Sequence, residues 1–116
     1  MGEFAIFDRS GIARFFISES VIYDYSGRPV AFLEGENIVS YSGKHLGWFH
    51  DGFVRDANGD AIGFTERAHR GPITPIPAIP PIPPIPTIPP IPPILPISPN
   101  FSFIWSSGSL EQLFAG

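Results

Sequence analysis

One glycine recurs at Gly11, Gly27, Gly43 and Gly59, sixteen residues apart each time. An aromatic stands five residues after each (Phe16, Phe32, Trp48, Phe64), and a branched aliphatic five before (Ile6, Ile22, Ile38, Val54). A small polar residue precedes each glycine: Ser10, Ser26, Ser42 and Asn58. Columns kept in phase over four units mean one supersecondary element stated four times, so any fold must place four equivalent pieces.

The second unit shows what that piece is. Val21-Ile22-Tyr23 and Val30-Ala31-Phe32-Leu33 both favour strand. Between them, Asp24-Tyr25-Ser26-Gly27 has the pattern of a type I turn closed by a left-handed glycine, which predicts a hairpin with a bulge. Asp24 can accept a hydrogen bond from the backbone two residues on, as can Asp8, Ser40 and Asp56 in the same column. The links Ser18-Glu19-Ser20, Glu34-Gly35-Glu36-Asn37 and His50-Asp51-Gly52 also read as turns, giving eight strands in up-and-down order.

Period-two alternation then predicts a core of Ile6, Phe16, Ile22, Val30, Phe32, Ile38, Leu46, Trp48, Val54, Ile62 and Phe64. Arg14 breaks the aliphatic column, which marks the first unit as a modified end. Four residues after the glycines stand Phe15, Ala31, Gly47 and Gly63. The three small ones either admit another backbone or relieve crowding beside the aromatics.

Composition divides the chain. Every charged residue except Glu111 lies before position 71, and fourteen of fifteen prolines lie after it. The expected parts are a β-repeat domain at 1–70, an Ile/Pro segment at 71–100 and a short anchor at 101–116. A domain of about 70 residues has a thin core, and with no cysteine it has no disulfide to reinforce it. Absence of cysteine, of a signal-like N-terminus and of an apolar stretch long enough to span a bilayer points to a cytoplasmic protein without membrane contact. The net charge of −4, with mixed signs, argues against nucleic acid.

The tail has its own period. Isoleucine occupies 73, 76, 79, 82, 85, 88, 91, 94 and 97, with proline at most positions between. Such a tract predicts polyproline II, three residues per turn, with every isoleucine on one edge and a straight length of about 74 Å. Solvent exposure of Ile73, Ile76, Ile79, Ile82, Ile85, Ile88, Ile91, Ile94 and Ile97 together would forgo about 1.5–3 kcal/mol each, so a docked rod is favoured over a free spacer. Asn100 to Trp105 reads as a short strand. Ser109 and Gln112 form a capping-box pattern ahead of Leu110, Leu113 and Phe114 on one face of a helical turn.

Taken together, Tyr23-Asp24-Tyr25-Ser26-Gly27, Gly47-Trp48, Gly63-Phe64 and Trp105-Ser106-Ser107, with the Ile-Pro tract, resemble the four-fold β-flower family of small bacterial proteins. The resemblance covers nearly the whole chain. It implies an all-β fold with four hairpins in pseudo-four-fold arrangement, and it brings no activity and no catalytic residue. A looser likeness to the tyrosine-aspartate repeats of toxin shells rests on Ile22-Tyr23-Asp24, and the rigid period of only four units argues against it.

Chemistry is sparse. His45, His50 and His69 lack a convincing ligand spacing, and Asp8, Asp24 and Asp56 are explained by their turns before any cation is invoked. There is no nucleophile motif, no phosphate loop, and no cofactor or small-molecule partner to name. The expectation is a non-catalytic module that self-associates through its isoleucine edge, with Phe101, Phe103, Trp105, Leu113 and Phe114 anchoring the rod's far end on a partner copy. The alternative is a small-molecule or ion-binding protein using the axial end of the β domain.

Overall fold

The computed structural model describes residues 3–82 and 101–115. Eight strands follow in order: β1 (Glu3–Phe7), β2 (Ala13–Ser18), β3 (Val21–Asp24), β4 (Pro29–Glu34), β5 (Asn37–Val39), β6 (His45–His50), β7 (Phe53–Arg55) and β8 (Ala61–Phe64). Each pairs antiparallel with the next, and β1 meets β8 through Phe7 and Phe64, closing a barrel. Units one to four are the successive hairpins β1–β2, β3–β4, β5–β6 and β7–β8.

The hairpin turns repeat in detail. Gly11, Gly27, Gly43 and Gly59 have φ of 86°, 92°, 92° and 87°, a left-handed region open to glycine without a Cβ penalty. Each donates its N–H to the carbonyl three residues back, on Asp8, Asp24, Ser40 and Asp56. The Oδ1 atoms of Asp8, Asp24 and Asp56 accept from backbone amides two and four residues on. Ser40 departs from this: its hydroxyl pairs with Ser42 and accepts only from Lys44 N–H.

Every unit carries a bulge at the same place, between Ile6 and Phe7, Ile22 and Tyr23, Ile38 and Val39, and Val54 and Arg55. The bulge corrects the expected core. An extra residue in one strand slips the alternation, so the residue three after the glycine and the one four after it turn to the same side. The axial cluster draws on all eight strands: Ile6, Phe15, Ile17, Ile22, Ala31, Ile38, Leu46, Val54 and Ile62. Only the interior of a closed barrel is bordered by all eight. Phe16, Phe32 and Phe64 are buried as expected, but on the other face of the sheet, in two peripheral clusters. Trp48, also buried, lies outside the axial cluster and meets His45 and Phe101.

The C-terminal helix α1 (Leu110–Ala115) completes the core. Ser109 N–H donates to Gln112 Oε1 and Gln112 N–H to Ser109 Oγ, the reciprocal capping box. So short a helix is marginal alone. Leu110 and Phe114 enter the axial cluster, and Phe114 meets Phe15 edge-on with ring centroids 4.8 Å apart. Gly63 makes this possible, since a Cβ there would lie 2.8 Å from the Leu110 side chain. At Gly47 a Cβ would collide with the Arg55 carbonyl, so the small column admits both a backbone and a plug.

Candidate interaction surface

The described tail segments before residue 83 and from Phe101 to Trp105 pack on the outside of the barrel. Gly71 packs so closely on Phe53 of β7 that a side chain there would overlap the ring. Pro75 and Ile76 then cross Gly11, and Ala78 N–H donates to Gly11 O at 2.8 Å. From Ile73 to Ile82 there is neither helix nor strand. Ile73, Ile76, Ile79 and Ile82 are 93–96% exposed, a row of apolar side chains pointing away from the barrel. Ile85, Ile88, Ile91, Ile94 and Ile97 lie outside the described residues, so the rod as a whole is not described.

The returning segment is held by more contacts. Phe101 lies over His50, with centroids 4.2 Å apart, and against Trp48. Ser102 N–H donates to Gly59 O, and Ser102 Oγ to Asp60 at 2.6 Å. Ala61 N–H donates to Ile104 O, and Trp105 makes a single parallel bridge with Ala61. Among the described residues, the short strand expected at 100–105 is reduced to that bridge. Trp105 packs edge-on against Phe53 and Phe64. Phe103 and Ile104 remain exposed.

These positions bear on the expected anchor. Phe114 is buried in its own chain's core, Leu113 packs at the edge of that core, and Trp105 lies in a cluster with Phe7, Phe53 and Phe64. These apolar contacts are made within the chain.

Arg55 is the residue the repeat pattern missed. It occupies the column of Phe7, Tyr23 and Val39 and is fully buried. Its guanidinium is stacked between Phe53, 5.3 Å away, and Phe101, 5.4 Å away, and Nη1 donates to the carbonyls of Gly59 and Ser102. Desolvation pushes its pKa down, while the carboxylates of Asp51, Asp60 and Asp56 work the other way. A buried cation bonded to both the fourth turn and the tail clamps one to the other. Its sequence signal was a charge in an apolar column, which is also what a surface exception such as Arg14 gives.

Other polar groups serve the turns and links. Burial raises the Asp8 and Asp24 carboxyls, yet the Arg14 bond on Asp8, the Ser26 hydroxyl on Asp24 and the turn amides on each outweigh it and leave both below the usual range. His50 lies 2.6 Å from Glu36 and 3.2 Å from Asp51, and Asp51 also meets His69 at 3.3 Å. Among the described residues, no three His, Asp or Glu side chains are placed to share a metal ion, and no helix is long and apolar enough to cross a membrane.

Four bulged hairpins round one axis, capped by a C-terminal helix, are an arrangement that a family comparison can test. The model of the 4-fold beta flower protein family matches residues 4–114. The chain belongs to this family. The match runs through the tail as well as the barrel, so the helical plug and proline tract lie within the extent of the beta flower itself. No curated protein and no solved structure matches this chain.

Proposed function

We propose that this beta flower is a non-catalytic interaction module that self-associates through the isoleucine edge of its proline tract. The observation that carries this reading is the row Ile73, Ile76, Ile79 and Ile82, each at least 93% exposed beside a barrel that fills its core from its own helix. Burying side chains of this size contributes about 1.5–3 kcal/mol each, so a second copy offering the same edge is a natural cover. Light scattering on the full chain at micromolar concentration should give a multiple of 12.7 kDa. Replacing the four isoleucines by serine should return the mass to one chain. A monomeric parent rejects the reading.

A second reading, a small-molecule or ion site at the axial end, has one observation in its favour. Leu110 and Phe114 fill the axis itself, but a groove of about 410 Å³ remains beside α1, with Lys44, Asn58, Ser107 and Gln112 among its lining. A metabolite or metal that raises the melting midpoint in proportion to its concentration would support that site.

A further inference from the structure

The third hairpin turn differs from the other three in charge. In those, the carboxylate three residues before the glycine has a partner at its Oδ2: Asp8 has Arg14 at 2.9 Å, Asp24 has Arg28 at 3.3 Å, and Asp56 accepts from the Ser106 hydroxyl. The third turn has Ser40 in that place, its hydroxyl taken up by Ser42 and by Lys44 N–H. Lys44 nevertheless stands one residue after Gly43, as Arg28 stands after Gly27. It is an exposed cation whose carboxylate is missing from its own turn. Among the described residues its ammonium makes no ion pair.

Lys44 borders the groove of about 410 Å³ beside α1, which runs between the turns of units three and four. Leu46 and Ile62, both buried, and Leu113, half-buried, give the groove an apolar lining. Gln112 Oε1 accepts from Ser109 N–H in the capping box, which leaves the Gln112 amide nitrogen as an uncommitted donor. Asp56 also lines the groove, but both its oxygens are engaged, Oδ1 by the amides of Asn58 and Asp60 and Oδ2 by Ser106. His45 has its Nε2 on Asn37. A smaller groove of about 300 Å³ lies against units one and two, and there Arg14 and Arg28 are paired with Asp8, Asp24 and Glu111. That space is neutralised by the chain itself. The larger one keeps an unanswered positive charge.

We propose that the groove between the turns of units three and four binds a small monocarboxylate, its apolar body on Leu46, Ile62 and Leu113 and its carboxylate at Lys44. A concave site of this size, with an apolar lining and a few polar groups that fix orientation, is the usual form of a small-molecule pocket. An ammonium is a compact point charge, and among neutral donors it balances one negative charge, where a phosphate dianion would leave a surplus. This carboxylate site rests on the axial-end reading above and names its ligand class.

The test titrates benzoate, phenylacetate and phenylpropionate, each beside its primary amide, into the isotope-enriched full chain and follows the backbone amide signals. At least one acid should shift Lys44, Asn58, Ser107 and Gln112 together and saturably, and should bind about fivefold tighter than its amide. The chain carries a net charge of −4, so such a preference is local to the groove and not a general attraction of anions. Ser40→Asp gives the third turn the carboxylate of the other three, and should cut the acid's affinity about fivefold while leaving the amide's unchanged. Lys44→Gln should act in the same way, whereas Arg28→Gln, at a cation already paired, should change neither. Acid and amide binding equally in the groove would overturn the carboxylate class and leave the axial site standing. An acid that binds as tightly after both Ser40→Asp and Lys44→Gln also rejects the proposal. So does the absence of a saturable shift with any probe, and the melting screen with other metabolites and metals then decides the axial reading separately.

Discussion

The barrel and the tail meet their backbone needs in opposite ways. Each hairpin pairs its own strands and closes its own turn, so apart from the closure of β1 on β8 its ladder partners lie nearby in the chain. The described tail bonds outward, to Gly11, Gly59, Ala61 and Arg55, and only α1 makes a regular element of it. Yet the barrel is not the self-sufficient partner, because Leu110 and Phe114 from the tail lie in its axial core. A locally encoded repeat fixes the wall, and the plug comes from the least regular part of the chain. Four hairpins leave an axial space that their own small residues, Ala31, Gly47 and Gly63, do not fill.

The largest expected effect tests that dependence. Leu110→Ala removes a fully buried side chain of the tail and should cost about 2–5 kcal/mol in urea unfolding, as a core truncation in the barrel itself would. A loss below about 1 kcal/mol, well under that core figure, would show that the wall stands without its plug and would restore the simple division into domain and tail.

A smaller effect probes strain inside the wall. The two-residue links differ: Asp51-Gly52 places a glycine at φ 81°, whereas Glu19 and Ser20 take φ of 50° and 70° without one. Ser20→Gly should stabilise by about 0.5–1 kcal/mol, relief of left-handed strain exceeding the added chain entropy. Chemical denaturation that finds a loss would mean that the Ser20 side chain makes a contact worth more than the strain.

The smallest effect is a pH slope at the junction of the two regions. His45 meets Trp48 edge-on at 4.5 Å, and Trp48 supports Phe101 of the tail. Burial holds the His45 pKa below its ordinary value, so the unfolded chain takes up the proton first. The stability is therefore fully present above about pH 6.5 and is lost as pH falls through the lowered folded value. His45→Gln should flatten melting midpoints between pH 5 and 7. An unaltered slope would assign the dependence to another group.

The sequence alone determined the repeat, the strand order, the left-handed glycines and the capping box, because each depends on residues within one turn or hairpin of each other. Gly27 needs only Asp24 and its neighbours to define its conformation, and Ser109 needs only Gln112. Which face each aromatic takes was decided by the bulge. Its one-residue slip moves Phe16, Phe32 and Phe64 to the outer side while Phe15 and Ile17 turn inward. Arg55 was equally hidden, since a charge in an apolar column becomes a buried clamp only when Phe101, Ser102 and Gly59 close round it. The same holds for Leu110 and Phe114, whose apolar face was legible and whose seat was not. Local geometry is written in neighbouring residues. The partner of an apolar surface far along the chain depends on the shape of the space left when the barrel closes, and only the tertiary structure defines that shape.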